Sequence, residues 1–531
     1  MIVLAQSVQG FEAPPVDYAA ILPLLVVLGT ALVGVLVEAF LPRRQRWPAQ
    51  VALSVAGLAL AGATLGLYAG SAPAGGITTI ADAVAVDRPT LFAWGTLLAL
   101  GLASVLLIAD RSVEPGGAFI SSAVARASVG GSGPTGPEER DYSTRGSDAP
   151  TMQTEVFPFT LFALGGMMAF VAANDLLTMF IALEVLSLPL YLMCGLARRR
   201  RLLSQEAAVK YFLLGAFASA FFLYGLALIY GYAGSVRLSD VAAAAVGSTR
   251  SDALLFAGLA LLVVGLMFKA SVGPFHTWTP DVYQGAPTPV TAFMAACTKV
   301  AAFGAILRVL HVAFGDTRWE WRGVLWAIAI VSMAIGAVIG LTQTDIKRMI
   351  AYSSVAHAGF LLIGAMSITP EGISGTLFYL LAYGFNTLAV FAVISLVRDA
   401  EGEAAHLSAW AGLAKRSPLT ALVMTFLLLG LAGLPLTSGF TAKFAVFTAA
   451  LADGMAPLVV IALVASAIAA FFYVRVIVLM YFSEPAADGP SVVVPGAFTT
   501  AAIALGRIVT LLLGILPNFA LEWAAGGGFA G

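Results

Sequence analysis

The sequence predicts an all-α integral membrane protein of about fourteen transmembrane helices, and three observations support that fold class. Hydrophobic residues make up 60% of the 531 residues, and charged residues make up only 11%. Soluble globular domains carry roughly 25% charged residues. A chain as apolar as this one must therefore expose much of its surface to lipid. The apolar residues also recur in runs of the ~20 residues that a helix needs to cross a bilayer.

The apolar runs define fourteen predicted spans. Their boundaries are 18–41, 50–69, 90–110, 156–174, 175–196, 206–233, 253–273, 288–313, 323–341, 349–367, 372–397, 418–450, 456–482 and 497–516. Residues 172–175 predict a tight polar turn between the fourth and fifth spans.

The spans divide the chain into five predicted parts. Residues 1–110 hold three spans, 156–315 and 316–482 hold two five-helix repeats, and 483–531 hold a last span and a tail. Residues 111–155 are rich in Gly, Ser and Pro and carry charges of both signs, which predicts a flexible cytoplasmic loop. This loop is either a simple insertion or a docking site for a partner.

Basic residues outside the spans predict the orientation. One side receives Arg43, Arg44, Arg46, Arg198 to Arg201, Lys347, Arg348, Arg398, Lys415 and Arg416. The other side receives only Arg88, Arg237, Arg250, Arg318 and Arg322. Because cytoplasmic loops carry the excess of Lys and Arg, the first side is predicted to be cytoplasmic, with both termini outside.

Composition also excludes several function classes. The formal net charge of −1 gives no reason to expect a nucleic-acid partner. Cys194 and Cys297 lie in apolar runs, so we interpret them as small hydrophobic residues and expect no redox centre on this chain. The four histidines, His276, His311, His357 and His406, have no metal-ligand spacing, and we predict no metal site.

Four charged residues lie deep within predicted spans: Glu184, Lys269, Lys299 and Lys443. A charge at this depth is costly and usually serves a function. A buried ammonium gives up its proton more readily than one in water, and a nearby carboxylate reverses that effect. We therefore predict a proton pathway in which Glu184 modulates Lys269, and Lys299 and Lys443 pass the proton onward. The alternative is that each lysine has a buried structural counter-ion.

Other ionisable residues have weaker claims. Possible participants are Lys210 as an uptake residue and His276 and His357 as relays. Lys210 could equally snorkel to the membrane interface, and His276 and His357 could equally be satisfied core histidines. Four further charges are interpreted as snorkelling to an interface or meeting a helix neighbour: Glu38, Arg308, Arg475 and Arg507.

Two spans are interrupted by helix-breaking residues. Gly273 and Pro274 follow Lys269, and Gly433, Pro435 and Gly439 precede Lys443. Interrupted helices at matching places in two halves point to a transport site. They are the fourth members of the two five-helix units, and an odd-numbered unit inverts when it is repeated.

Four segments resemble the antiporter-like membrane subunits of respiratory complex I (NADH:quinone oxidoreductase, NDH-1) and of Mrp-type sodium/proton antiporters. They are LEVLSLP at 183–189, FKASVGPFHTWTPDVYQGAP at 268–287, TK at 298–299 and QTDIKRMIAYSS at 343–354. The resemblance covers residues 156–482 and implies a fourteen-helix fold with inverted five-helix repeats. It matches Glu184, Lys269, Lys299 and Lys443 to the family's ionisable residues on helices five, seven, eight and twelve.

Within that family the chain resembles the N type, with actinobacterial-looking segments at 36–44 and 198–201. Lys443 stands where the M type usually has glutamate, and the long lateral helix of the L type is missing. The resemblance implies proton translocation in a bacterial plasma membrane, beside M-type and small K-, J- and A-type subunits. FMN, iron–sulfur clusters and quinone would belong to partner subunits. A cation/proton antiporter without redox coupling, or a scaffold with vestigial proton transfer, are the alternatives.

Overall fold

The computed structural model describes residues 15–113, 119, 153–197, 201–247, 251–399, 402–485 and 489–530. The predicted loop at 111–155 falls almost wholly outside the described residues, as do Arg198 to Arg200.

Within the described residues the chain is mainly helical. In order, the helices are α1 Tyr18–Phe40, α2 Arg43–Ser71, α3 Arg88–Ala109, α4 Val156–Ala172, α5 Leu176–Cys194, α6 Arg201–Ala233, α7 Leu238–Gly247, α8 Ala253–Lys269, α9 Trp278–Gly285, α10 Thr288–Arg308, α11 Arg318–Thr342, α12 Ile346–Met366, α13 Pro370–Ile394, α14 Leu413–Arg416, α15 Pro418–Ala432, α16 Ser438–Ala452, α17 Ala456–Phe482, α18 Ala497–Ile515 and α19 Asn518–Ala525. A π-helical turn, Val309–Ala313, extends α10, and a 3₁₀ turn, Leu407–Trp410, precedes α14.

Eleven of the described helices are long and apolar enough to cross a membrane, and four shorter ones are apolar as well. The eleven are α1, α2, α3, α5, α6, α10, α11, α12, α13, α17 and α18, and the four are α4, α8, α15 and α16. The chain is therefore a multi-pass membrane protein, as its composition predicts.

Polar side chains begin several of these helices. Asp17, Asp87, Asp175 and Asp345 each accept hydrogen bonds from backbone N–H groups in the first turn of α1, α3, α5 and α12, and Thr369 does so for α13. The first N–H groups of a helix have no partner within it, so a capping oxygen stabilises the start. The caps explain why short polar turns separate long apolar runs.

Three helices form the centre of the bundle. Every residue of α10 is buried, and α12 and α13 are buried along nearly their whole length. By contrast, α1, α6, α17 and α18 leave many large aliphatic and aromatic side chains exposed. In a membrane protein such outer faces contact lipid or another membrane protein. Lys299 on α10 and His357 on α12 lie instead on the buried central helices, away from the lipid-facing surface.

Both predicted interruptions are confirmed. After α8 ends at Lys269, Ser271 adopts a positive φ of 59° and the chain becomes helical again at α9. After α15 ends at Ala432, Gly433 (φ 86°) and Leu436 (φ 69°) turn the chain before α16. Each break frees backbone carbonyl groups inside the protein, where they need partners.

Short strands lie between the helices and were not part of the all-α prediction. An antiparallel pair joins β1 Ile77–Thr79 to β2 Val84–Val86. A second sheet has the order β4–β3–β5, from Gly402–Glu403, Val397–Asp399 and Ser491–Val492. These strands of two or three residues pair the backbone groups of loops that no helix satisfies.

Candidate functional site

Lys269 is the last residue of α8, and only 2% of it is exposed. Its ammonium donates hydrogen bonds to the Ser187 hydroxyl at 2.8 Å and the Tyr211 hydroxyl at 3.1 Å. It also lies 5.6 Å from the ring centroid of Tyr191 and 5.2 Å from that of Tyr211. The surroundings are therefore hydroxyl and aromatic groups, which can hold an ammonium without a permanent counter-ion.

Glu184 lies one helical turn before Ser187 on α5 and is half-buried. In the described part of the chain it makes no ion pair with Lys269, and its buried Oε1 atom accepts no hydrogen bond. The α5 side chain that accepts a hydrogen bond from Lys269 is Ser187. In this conformation Glu184 can therefore affect Lys269 only electrostatically, without direct contact.

Lys299 lies in the middle of α10 and is 1% exposed. Its ammonium donates to the carbonyl oxygen of Ala270 at 2.9 Å. Ala270 follows Lys269 directly and is the C-cap residue of α8, so the helix break supplies the acceptor. The ammonium also lies 5.8 Å from the ring of Tyr383.

Lys443 repeats this arrangement at the second break. Its ammonium donates to the Ala432 carbonyl oxygen at 2.8 Å and to the Ser466 hydroxyl at 2.8 Å. Ala432 is the last residue of α15. The ring of Phe360 lies 5.2 Å away. In both halves, a lysine ammonium thus binds a carbonyl oxygen freed where a span is interrupted, at the end of the helix where the dipole favours a cation.

His357 lies between Lys299 and Lys443. Its ring centroid is 5.0 Å from that of Tyr383, which contacts Lys299, and 5.8 Å from that of Phe360, which contacts Lys443. The two ring nitrogens make hydrogen bonds with the hydroxyls of Tyr379 at 2.7 Å and Tyr473 at 3.3 Å. Sequence reasoning singled out His357 but not these tyrosines, because they lie in apolar runs on other helices.

His276 lies in the first interruption, away from this line. It is 8% exposed, and its ring is 5.9 Å from that of Tyr352. Its Nδ1 atom has no hydrogen-bond partner among the described residues. The structure therefore brings His276 close to the break but gives it no direct contact with the three lysines.

Lys210 lies near the start of α6 in a charged cluster. It pairs with Glu206 at 2.7 Å on its own helix and with Asp281 of α9 at 2.6 Å. Arg348 of α12 pairs with the other oxygen of Asp281 at 2.6 Å and donates to Gln284 at 3.2 Å. Three separate elements meet here, so Lys210 is held by partners rather than left to snorkel.

A second charged group lies beside that cluster. Lys347, at the start of α12, pairs with Glu403 of β4, and the Thr288 hydroxyl donates to the same carboxylate at 2.6 Å. Burial by itself raises the pKa of Glu403, but the Lys347 ammonium and the Thr288 hydrogen bond outweigh it, so the pKa lies below its usual range. This carboxylate is held in its charged form where α10, the helix of Lys299, begins.

Of the two roles predicted for Arg308, snorkelling to an interface is wrong and contact with a neighbouring helix is confirmed. Its side chain is fully buried and pairs with Asp87, also fully buried, at 2.7 Å. It also donates to the Thr90 hydroxyl at 2.7 Å and the Val171 carbonyl at 3.0 Å. The partners lie more than 130 residues earlier in the chain, so no local pattern could reveal them. Of the other three, Glu38 accepts from Gln50, Arg475 donates to a carbonyl of α11, and Arg507 is exposed.

Groups of three or more His, Cys, Asp or Glu side chains that could hold a metal are not found among the described residues. Cys194 and Cys297 are buried as free thiols. The groups that the described site brings together are proton donors and acceptors: amines, hydroxyls, an imidazole and a carboxyl group.

Comparison with known proteins points in the same direction. Residues 173–469 match the family described as "NADH:quinone oxidoreductase/Mrp antiporter, TM". A protein of Saccharopolyspora erythraea named NADH-quinone oxidoreductase subunit N is 73% identical, over 98% of this chain and 99% of its own length. A Mycobacterium tuberculosis protein of the same name is 52% identical, over 96% of this chain and 98% of its own.

Two solved structures share the fold. A chain of respiratory complex I from Thermus thermophilus is 34% identical with a TM-score of 0.74, and the match covers 95% of this chain and 100% of that one. A chain of the Mrp complex from a Dietzia species has a TM-score of 0.78 at 22% identity, covering 95% of this chain and 96% of that one. The second likeness concerns the fold alone.

Proposed function

Because the chain belongs to the NADH:quinone oxidoreductase/Mrp antiporter family of membrane subunits, we propose that it moves protons through Glu184, Lys269, Lys299 and Lys443. It is a proton-translocating membrane-arm subunit of NADH:quinone oxidoreductase, in which other subunits pass electrons from NADH to quinone. The residue roles are our proposal, and one observation carries it: buried ammonium groups bind the freed carbonyl oxygens of both interrupted spans.

The proposed path runs along the bundle centre. Protonated Lys269 passes a proton to Lys299 through water near Ala270, and the proton then reaches Lys443 by way of His357 and its tyrosines. At each step one amine loses the proton that the next group gains. Water would complete the hops, because ring-to-ammonium distances of 5 to 6 Å exceed a hydrogen bond. Glu184 would set when Lys269 holds its proton.

Proton uptake is proposed at the charged cluster of Lys210, Asp281 and Arg348. These residues, with Lys347, lie at the side that the basic loops mark as cytoplasmic. His276 would serve as a relay between this cluster and Lys269, since it lies in the interruption that joins α8 to α9. With the basic side inward, the termini face the outside of a bacterial plasma membrane.

The proposed topology has fourteen spans. The eleven long helices, α4, the α8–α9 pair and the α15–α16 pair make up that number. The segments 156–315 and 316–482 would then be inverted repeats, each with its interrupted span in fourth place. Such a relation explains why each half has one interrupted span that frees a carbonyl group: Lys443 lies on its own interrupted span, whereas Lys299 lies on the span that follows one.

The partners proposed for the chain are an M-type antiporter-like subunit and the small K-, J- and A-type subunits. FMN, iron–sulfur clusters and the quinone site would lie in other subunits of the same complex. Purification of the tagged chain in mild detergent tests this assignment. Flavin and iron–sulfur spectra in the purified material support it, whereas isolation with antiporter subunits only would favour a cation/proton antiporter.

Replacing Lys269 with alanine tests the proton role. We expect the complex to assemble with its flavin and to lose most NADH-driven proton uptake in proteoliposomes. Lys415→Ala is the matched control, because Lys415 lies half-exposed in the short helix α14 and pairs with Glu484. Full proton uptake by an assembled Lys269→Ala complex would instead favour a scaffold.

A further inference from the structure

The last span, α18, has one packed face and one unpacked face. The packed face contacts α3, α13, α15 and α16 with residues at helical spacing: Thr499, Ala502, Ile503, Gly506, Thr510 and Leu513. The opposite face exposes large aliphatic side chains, which are Ile508, Leu511, Leu512 and Ile515. Arg507 lies on this exposed face as its one charged residue. A charged arginine among lipid-facing aliphatic side chains is energetically costly, so its position needs a physical explanation.

Arg507 lies deep in the membrane. It is ten residues from the start of α18 and eight from its end, which places its Cα about 15 Å and 12 Å from the two ends. Neighbouring helices give the same depth. Thr510, one turn further on, lies beside Gly430, and Gly514 lies against Leu436 in the second interruption. The Arg507 backbone is thus about one to two turns from the interrupted region.

Snorkelling does not bring this charge to water. An extended arginine side chain reaches about 7 Å from its Cα, which is well short of either end of α18. In the described part of the chain, the Arg507 guanidinium has no ion pair and no hydrogen bond. The other deep cations all have partners: Lys269, Lys299 and Lys443 bind hydroxyl or carbonyl groups, and Arg308 pairs with a carboxylate.

We propose that the Arg507 face of α18 binds a transmembrane helix of a neighbouring subunit that carries a carboxylate at the same depth. Charge complementarity selects this occupant. The guanidinium presents a planar fork of N–H donors that suits a carboxylate, and the aliphatic residues around it exclude water. A lipid phosphate would have to leave the headgroup layer to meet it. The inference rests on the proposed function, because it requires that the chain works in a multisubunit membrane complex.

A photoreactive amino acid at Leu511 tests the occupant directly. Leu511 is one turn from Arg507 on the same face and is 46% exposed. In the complex within native membranes, we expect a cross-link to a transmembrane peptide of another subunit that contains Asp or Glu. A cross-link to lipid alone, or to a helix without an acidic residue, overturns the proposal. The same probe at buried Thr510 should cross-link within the chain, to α15, and controls for reactivity.

Charge variants test the interaction itself. Arg507→Met should lower the fraction of chain retained in the complex at rising detergent concentration by at least about tenfold, since it strands the partner carboxylate. Arg507→Lys should retain most of it, and Ile508→Met is the neutral control. Neutralising the identified carboxylate should cause the same loss, with no further loss when both are changed. Additive losses would contradict a direct pair.

The docking proposal and the proposed function can be contradicted by different results. If the chain purifies with flavin and iron–sulfur subunits while the Leu511 probe reaches only lipid, the docking face is wrong and the proposed function stands. If the flavin subunits are missing altogether, the proposed function fails first.

Discussion

Replacing Lys299 with methionine separates proton transfer from folding. The side chain is 1% exposed at the centre of the bundle, and its ammonium makes one hydrogen bond, to the Ala270 carbonyl oxygen. Methionine has a similar length, fills irregular space and carries no proton. The perturbation therefore removes the proton-carrying group and leaves the packing volume nearly unchanged.

The magnitudes favour a folded but inactive complex. A hydrogen bond from a charged group contributes about 1.5–3 kcal/mol net. Taking an ammonium out of water costs several kcal/mol, which methionine does not incur. These terms oppose each other, so we expect a stability change within about 2 kcal/mol. Proton transfer through a positioned group contributes about 10²–10⁴-fold to a rate, so transfer past Lys299 should slow at least about 100-fold.

The assay compares two activities of the purified complex in proteoliposomes. Electron transfer from NADH to an artificial acceptor reports on the flavin side and should be unchanged. Proton uptake driven by NADH and quinone should fall to near background. Lys415→Met serves as the matched lysine-to-methionine control outside the bundle. A wild-type ratio of protons to electrons in an assembled Lys299→Met complex would refute the role of Lys299 in the pathway.

Three further changes have definite expected outcomes. Arg308→Met strands its buried aspartate partner, so the heat-unfolding midpoint of the complex should drop, reflecting a loss of about 3–5 kcal/mol. Gly433→Ala introduces a Cβ 3.1 Å from the Lys443 amine at a φ of 86°, so proton uptake should fall, whereas Gly231→Ala, which meets open space, should change nothing. The lowered pKa of Glu403 means that its pairing stabilises the fold above the usual carboxyl range and is lost as pH falls through the lowered value. The difference in unfolding midpoint between wild type and Glu403→Gln should accordingly be largest near pH 7 and shrink in acid.

The sequence predicts those features that depend on the residues nearby in the chain, such as buried charges and helix breaks. Lysines inside apolar runs stand out without any tertiary information, and Lys269, Lys299 and Lys443 are all buried as predicted. Gly and Pro next to Lys269 and Lys443 predicted the two interruptions, which the structure confirms. The family prediction is confirmed as well.

Contacts between helices that are distant in the chain could not be predicted from the sequence. Ser187 and Tyr211 look like ordinary members of apolar helices, yet they hold the Lys269 ammonium. Glu184 is predicted to modulate Lys269, but the α5 side chains beside the Lys269 ammonium are Ser187 and Tyr191. Arg308 lies near the end of its span, which suggested snorkelling, and its aspartate partner is 221 residues earlier. Packing decides such contacts, and local periodicity holds no information about them.

The two helix breaks explain why lysine, rather than another cation, suits this line. A half-helix ends in carbonyl oxygens that have no backbone partner, and an ammonium on a flexible stem can reach them with any of its three donors. Arginine, with its rigid fork, would remain charged in every state and could not release a proton. The Lys299 and Lys443 ammonium groups bind the Ala270 and Ala432 carbonyl oxygens, so in the proposed pathway a small shift of either half-helix would change how firmly the amine holds its proton. In the proposed pathway the interruptions would thus connect backbone movement to proton affinity, which a continuous helix, with its carbonyl groups already paired, could not do.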